Sequence, residues 1–127
     1  MNNQSELYLR AREAMAHAYA PYSGYRVGAA LLAADGTVYT GANIENSSYG
    51  VTVCAERNAL AKAIYDGHRE FTAIAIAASG ESPAWPCGIC RQALFEFGDD
   101  IRVITGPDTD HLKSLTISEL LPQGFRL

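Results

Sequence analysis

The sequence predicts an α/β fold, and three observations support this. The 127 residues are enough for one domain, and 48% of them are hydrophobic on a broad count, which is enough for one core. Segments whose apolar residues recur at helical spacing alternate with short apolar runs bounded by turn residues. From residue 71 to 105 the order is strand, helix, strand, which predicts a right-handed crossover between two parallel strands. We expect residues 1–127 to form a single domain.

The first part of the chain is predicted to form a helix and a β-hairpin. Apolar residues recur on one helical face over residues 7–18. Residues 25–32 have the composition of a strand, and Asp35-Gly36 is a typical hairpin turn before an antiparallel partner at 38–41. Gly28, inside the first of these strands, is expected where another backbone comes close.

The second part is predicted to alternate helices with strands. An alanine-rich segment followed by Gly67 predicts a helix over 54–66, and the apolar run 71–78 predicts a buried strand. A further helix over 87–97 is expected to end at Gly98, with a strand at 101–105 after it. Residues 116–121 are expected to form one more short strand or helical turn.

All three cysteines lie where these two helices begin. Cys54 and Glu56 fall in the first turn of one helix, while Cys87 and Cys90 have a metal-ligand spacing at the start of the other. Three thiolates leave one of the four tetrahedral positions of zinc open, which is typical of a catalytic zinc rather than a structural one. The partial positive charge of each helix N-terminus also favours thiolates. We therefore predict one Zn²⁺ per chain.

Burial in the core or a disulfide bond would explain the positions of the three cysteines less well than a metal site does. Free cysteines are often simply buried, but that would not explain why all three fall within two motifs. A disulfide between Cys87 and Cys90 would leave Cys54 over, and the sequence starts Met-Asn-Asn-Gln-Ser-Glu without an apolar signal segment. We therefore expect reduced thiols in a cytoplasmic protein.

The charge and hydropathy patterns exclude several functions. Ten Lys and Arg against fourteen Asp and Glu give a formal charge of -4, and basic residues form no run. This argues against a nucleic-acid partner and favours a small substrate that is not strongly anionic. No apolar run is long enough to span a bilayer, so no membrane partner is expected.

The residues beside the metal ligands suggest hydrolytic chemistry. Zinc lowers the pKa of its bound water, although three thiolate ligands weaken this effect. Arg57 is expected to offset their charge by hydrogen bonding to the ligand sulfurs, unless it is an ordinary solvated arginine. Glu56 is the candidate proton shuttle, which takes a proton from the water and delivers it to the substrate and the leaving group.

Several motifs in one order resemble the cytidine deaminases of the short, homotetrameric class, within the cytidine and deoxycytidylate deaminase superfamily. The matching segments are residues 20–23 (APYS), 27–31 (VGAAL), 43–46 (NIEN), 54–57 (CAER), 86–92 (PCGICRQ) and 120–122 (LLP). The resemblance implies a three-layer α/β/α fold with a five-stranded mixed sheet. It also implies deamination of cytidine and deoxycytidine to uridine and deoxyuridine, through hydroxide attack at C4 with Glu56 as the shuttle.

The same resemblance implies how a nucleoside is bound. Asn43 and Glu45 should hold the ribose hydroxyls, and Tyr25 should stack against the pyrimidine. Ser47 and Tyr49 resemble loop positions that a neighbouring subunit contributes to the site. Phe125 resembles an aromatic that closes over the substrate from yet another subunit, which implies a homotetramer with shared sites and a tail held by assembly.

Three alternative functions remain open on the sequence alone. A deaminase of another heterocycle, such as a blasticidin-type antibiotic, would share the zinc motifs, although the segment 43–46 favours a nucleoside. A deaminase that edits nucleic acid would need a positively charged track, which the acidic balance does not supply. A non-catalytic zinc module would need a fourth protein ligand, and the three histidines lie outside the motifs: His17, His68 and His111.

Overall fold

Five strands form one mixed sheet in the computed structural model, which describes residues 3–127. The strands are Val27–Ala33 (β1), Val38–Ala42 (β2), Phe71–Ala78 (β3), Arg102–Thr105 (β4) and Lys113–Thr116 (β5). Their order across the sheet is β2-β1-β3-β4-β5. β3 and β4 are parallel and the other neighbours are antiparallel, so the predicted crossover and mixed sheet are both confirmed.

Helices cover both faces of this sheet. They are Asn3–Ala14 (α1), Ala55–Tyr65 (α2), Gly88–Phe95 (α3) and Ile117–Leu120 (α4), with short 3₁₀ turns at Met15–His17 and Tyr49–Val51. Buried side chains of α1 share one core cluster with the sheet, and those of α2 and α3 share another with its opposite face. The three-layer α/β/α architecture is therefore as the resemblance implied.

Alternation along the central strand explains why two separate cores form. In β3, Ile74 and Ile76 face α2 and α3, whereas Ala73, Ala75 and Ala77 face α1. Successive strand residues point to opposite faces, so a strand buried on both sides has a continuous apolar sequence. Small alanines on the α1 side allow that helix to lie close to the sheet.

Two glycines set how closely the helices approach the hairpin. A Cβ on Gly28 would lie 2.0 Å from the Ala11 carbonyl oxygen of α1. A Cβ on Gly41 would lie 2.5 Å from the Ala55 carbonyl oxygen of α2. Any side chain at these positions would push the helices away from the sheet, so the prediction of close approach at Gly28 is confirmed.

The ends of several elements differ from the sequence prediction. The first helix stops being α-helical at Ala14, and α3 ends at Phe95. Ile117–Leu120 form the helical turn α4, which is one of the two alternatives predicted for residues 116–121, and the strand before it, β5, was not predicted from the sequence pattern. Thr116 caps α4, because its hydroxyl accepts from the Glu119 N–H while the Glu119 carboxylate accepts from the Thr116 N–H.

No membrane-spanning segment is found among the helices of residues 3–127, since none combines the necessary length and hydrophobicity.

Candidate active site

The N-termini of α2 and α3 meet at the three cysteines. Cys54 is the N-cap of α2, Cys87 is the N-cap of α3, and Cys90 lies in the first turn of α3. Neither N-cap side chain is used to cap its helix. Neither sulfur is therefore occupied by helix capping, and both lie beside helix ends whose unpaired N–H groups favour negative charge.

The sulfur geometry fits a zinc ion. The three Sγ atoms lie within 4.8 Å of one another, and those of Cys54 and Cys87 are 3.8 Å apart. Zn–S bonds of about 2.3 Å in tetrahedral geometry place two sulfurs about 3.8 Å apart. In the part of the chain from residue 3 onward, no other group of three or more metal-ligating side chains converges in this way. The site has three protein ligands and room for a fourth.

Arg57 lies against these sulfurs. Its Nη2 is 3.7 Å from the Cys54 Sγ and 3.5 Å from the Thr52 carbonyl oxygen, to which it donates. A hydrogen bond from Cys90, helped by Arg57, lowers the pKa of Cys54 to about 5, while the same thiolate raises the pKa of Cys90. The Arg57 guanidinium therefore lies close enough to the Cys54 sulfur to hydrogen-bond to it.

Glu56 lies beside the cysteines in the first turn of α2. It is only 5% exposed. Burial raises the pKa of its carboxyl to about 7, with a further contribution from the Cys54 thiolate, although its own backbone N–H and Arg57 oppose the shift. A buried carboxyl of this kind can hold and release a proton near neutral pH.

Cys54, Glu56 and Cys87 line one cleft, which we call the inner cleft. The inner cleft has a volume of about 220 Å³ and adjoins an outer cavity of about 430 Å³, with which it shares two lining residues, Glu45 and Thr52. The inner cleft is lined by apolar, polar and ligand residues together: Tyr25, Val27, Asn43, Glu45, Thr52, Cys54, Ala55, Glu56, Ile76, Ala84, Trp85 and Cys87. Such a cleft suits a small molecule with a planar ring and a polar substituent.

Hydrogen bonds hold Asn43 and Glu45 in the lining of this cleft, and Glu45 also borders the outer cavity. The Asn43 amide accepts from the Val27 N–H and donates to the Tyr25 carbonyl, each at 2.9 Å, and keeps one hydrogen and one lone pair for a ligand. Glu45 Oε1 accepts from the Tyr22 N–H at 2.9 Å, and Oε2 accepts from the Ser23 hydroxyl. The Ser23 hydrogen bond is the main reason that the pKa of Glu45 is lowered.

The remaining predicted binding residues divide into two groups. Tyr25 lines the inner cleft with Glu56. Tyr49 is 84% exposed and lines only the outer cavity, while Ser47 is hydrogen-bonded to the Tyr22 hydroxyl at 2.7 Å. Phe125 is 67% exposed. Ser47, Tyr49 and Phe125 do not line the inner cleft of their own chain.

The structure corrects the expectation that assembly alone holds the tail. Gln92 donates to the Phe125 carbonyl at 3.2 Å. Arg126 donates to the Phe95 carbonyl at 2.7 Å, lies 4.1 Å above the centre of the Phe95 ring, and forms an ion pair with Asp99. The tail is therefore held by its own subunit through the Phe125 carbonyl and the Arg126 side chain, while Phe125 itself is largely exposed.

Sequence reasoning missed several cleft residues. Trp85, Ala84 and Thr52 line the cleft, as do Val27 and Ile76 from the sheet. Of these residues, only Trp85 could have been identified from the sequence, because it is a large aromatic residue two positions before the predicted metal ligand Cys87. The others depend on which strand ends the fold brings to the site.

Known proteins are similar to this chain in sequence and in fold. Residues 1–106 match the family model described as the cytidine and deoxycytidylate deaminase zinc-binding region. The chain belongs to this deaminase family. It is 50% identical over 118 residues to the cytidine deaminase of Halalkalibacterium halodurans, which covers 92% of this chain and 87% of the relative. It is 48% identical over 122 residues to that of Sporosarcina psychrophila, covering 94% and 89%.

Solved structures of the deaminase family have the same fold. The crystal structure of cytidine deaminase from Burkholderia pseudomallei superposes with a TM-score of 0.91 at 41% identity, over 98% of this chain and 100% of that one. The crystal structure of cytidine deaminase from Mycobacterium tuberculosis gives a TM-score of 0.88 at 37% identity, over 100% of both chains. These matches confirm the resemblance, and the family description confirms the predicted zinc-binding region.

Proposed function

We propose that this protein hydrolyses cytidine and deoxycytidine to uridine and deoxyuridine with release of ammonia. The observation that best supports this is the convergence of three cysteine sulfurs, two of them from cysteines that line the same cleft as the buried Glu56. Relatives about half identical over nine-tenths of the chain are cytidine deaminases. The substrate class follows from that likeness and from the polar residues that line the cleft.

Cys54, Cys87 and Cys90 are the proposed ligands of one zinc ion per chain. When bound there, zinc would polarise a water molecule into a nucleophile for C4 of the pyrimidine. Cys54 and Cys87 place this chemistry in the cleft that Glu56 also lines. Arg57 and the two helix N-termini compensate the charge of the three thiolates.

Glu56 moves the protons of the reaction. Its carboxylate accepts a proton from the attacking water and delivers it to ring N3, so that oxygen is added to C4 and hydrogen to N3. The carboxyl then transfers the second proton of the water to the amino group at C4. The C4–N bond breaks, ammonia leaves, and the carbonyl of uridine remains.

Three residues orient the nucleoside. Tyr25 offers an aromatic face to the pyrimidine within the cleft. Asn43 and Glu45 keep hydrogen-bonding capacity for the ribose hydroxyls in the same cleft. Because its lowered pKa keeps Glu45 ionised, it repels a nearby phosphate, and nucleosides are preferred to nucleotides.

Ammonia release from cytidine, adenosine and blasticidin S tests this function against its alternatives. Cytidine and deoxycytidine are expected to be good substrates and adenosine a poor one. Turnover of blasticidin S alone would favour an antibiotic deaminase. Zinc binding without turnover of any heterocycle would favour a non-catalytic zinc module.

A nucleoside with a tetrahedral C4 that bears a hydroxyl group is expected to inhibit strongly. Reduction of the C4 carbonyl of uridine gives such a molecule, which imitates the hydrated pyrimidine better than cytidine does. Transition-state analogues bind at least about 10²-fold more tightly than substrates do. Competitive inhibition constants measured beside uridine provide the test. Equal binding of the reduced analogue and uridine would contradict addition of water at C4.

We further propose a homotetramer in which subunits share active sites. Each subunit would contribute three residues to active sites of neighbouring subunits: Ser47, Tyr49 and Phe125. The last two are largely exposed. The tail is held by its own subunit while Phe125 itself stays exposed, as an interface residue requires.

Phe125→Ala is expected to raise KM about tenfold or more, which corresponds to a loss of roughly 1.4 kcal/mol of binding. Truncation after Leu121 should have the same effect and weaken assembly, whereas zinc content should be kept in both. Leu127→Ala, which alters another exposed apolar side chain of the tail, is the control. Kinetics combined with sedimentation test this. Normal kinetics after truncation, or a fully active monomer, would show that each chain builds its own site.

A further inference from the structure

We propose that Trp85 limits the size of the substituent that the substrate can have at C5 of the pyrimidine. This makes Trp85 a specificity-determining residue for the deamination, and the inference rests on the proposed function. Trp85 lines the inner cleft together with Glu56 and Cys87.

Trp85 lies at the end of the cleft that receives the base. The inner cleft and the outer cavity share Glu45 and Thr52, so the two adjoin at these residues. Trp85 and Cys87 line the inner cleft and not the outer cavity. A nucleoside whose C4 reaches the cysteine sulfurs therefore places its base beside Trp85 and its ribose towards Glu45.

Glu56 and Trp85 belong to different elements of the fold. Glu56 belongs to α2, which packs on β1 and β2. The loop that contains Trp85 lies at the carboxyl ends of β3 and β4, because the Ala84 N–H donates to the Thr105 hydroxyl at 2.9 Å and that hydroxyl donates to the Ile76 carbonyl at 2.8 Å. The two residues thus line the inner cleft from different elements of the fold, Glu56 from α2 and Trp85 from the loop before α3.

The chemistry fixes which edge of the base faces each element. Glu56 must reach ring N3 to deliver its proton, so the N3 edge faces α2. N3 and C5 flank C4 on opposite sides of a pyrimidine ring. With C4 at the sulfurs and N3 at Glu56, the C5 edge faces the loop that contains Trp85.

That loop is held firmly. Ala84 is tied to β4 on one side of Trp85, and on the other side Pro86 is fully buried and its carbonyl accepts from Arg91 Nε at 2.7 Å. The Trp85 side chain packs against the core cluster between the sheet and α2. A side chain fixed in this way cannot readily move aside, so a bulky C5 group meets a steric limit.

Comparing 5-methylcytidine with cytidine tests the inference. In Trp85→Ala, the kcat/KM for 5-methylcytidine divided by the kcat/KM for cytidine is expected to rise by about 10- to 200-fold, if the added space is worth one methyl group. Trp85→Phe should raise this ratio less. Val27→Ala, which enlarges the same cleft from β1, is the matched control and should leave the ratio unchanged. Zinc content is measured for every variant.

An unchanged or lower ratio in Trp85→Ala would overturn the inference, as would an equal rise in Val27→Ala. If Trp85→Ala loses zinc, the Trp85→Phe ratio decides. Competitive inhibition constants for 5-methyluridine and uridine give the same comparison without turnover. In Trp85→Phe, the difference between these two inhibition constants should be smaller than in the wild type. Wild-type protein that fails to deaminate cytidine would instead contradict the proposed function.

Discussion

Cys87→Ala is expected to abolish zinc binding and cytidine turnover together. The three sulfurs lie within 4.8 Å of one another, and removing Cys87 leaves only two protein ligands. Two ligands do not make a stable zinc site, and no other group of three ligating side chains converges in residues 3–127 to replace it. Cys54→Ala and Cys90→Ala should give the same result. Zinc analysis of purified protein and an ammonia assay are the measurements.

Ile89→Ala provides the control for this loss. Ile89 lies between the two cysteines of α3, yet its side chain is 64% exposed and offers no ligand atom. This variant should keep one zinc per chain. Stoichiometric zinc in the Cys87→Ala protein would contradict the assignment of the metal ligands.

Glu56→Gln is expected to retain zinc but lose turnover by about 10² to 10⁴, the usual contribution of general acid-base catalysis. Glutamine has nearly the same shape, so the buried first turn of α2 should remain intact. It cannot accept and release a proton at neutral pH, and both proton transfers would therefore fail. Substrate binding should survive better than turnover, which single-turnover kinetics and equilibrium binding can separate.

Glu96→Gln is the matched control, because Glu96 is an exposed carboxylate at the end of α3. It should behave as wild type. Near-normal turnover in Glu56→Gln would show that another group transfers the protons.

The sequence predicted the parts of the site that depend on local spacing. Cys54, Glu56 and Arg57 fall within one helical turn, and Cys87 and Cys90 within another, so each set is close in space wherever its helix lies. β3 was predicted with its observed bounds, because its apolar residues are continuous and end in polar segments. Helix ends were less accurate, since caps and final turns depend on hydrogen bonds that spacing does not specify.

Other features depend on contacts between distant segments. β5 has only four residues, one of them a lysine, and is defined by its pairing with β4. The tail is anchored by the ion pair of Arg126 with Asp99, 27 positions away. Trp85 joins the cleft because Thr105 ties its loop to the sheet. Sequence periodicity reports none of these contacts, since each requires the folded arrangement of the strands.

Titration of metal-free protein with zinc tests the central claim most directly. Cytidine turnover, measured as uridine formed, should rise in proportion to bound zinc and level off at one zinc per chain. This result follows if Cys54, Cys87 and Cys90 form a single catalytic zinc site. Full turnover by zinc-free protein, or no turnover with one zinc bound per chain, would contradict it.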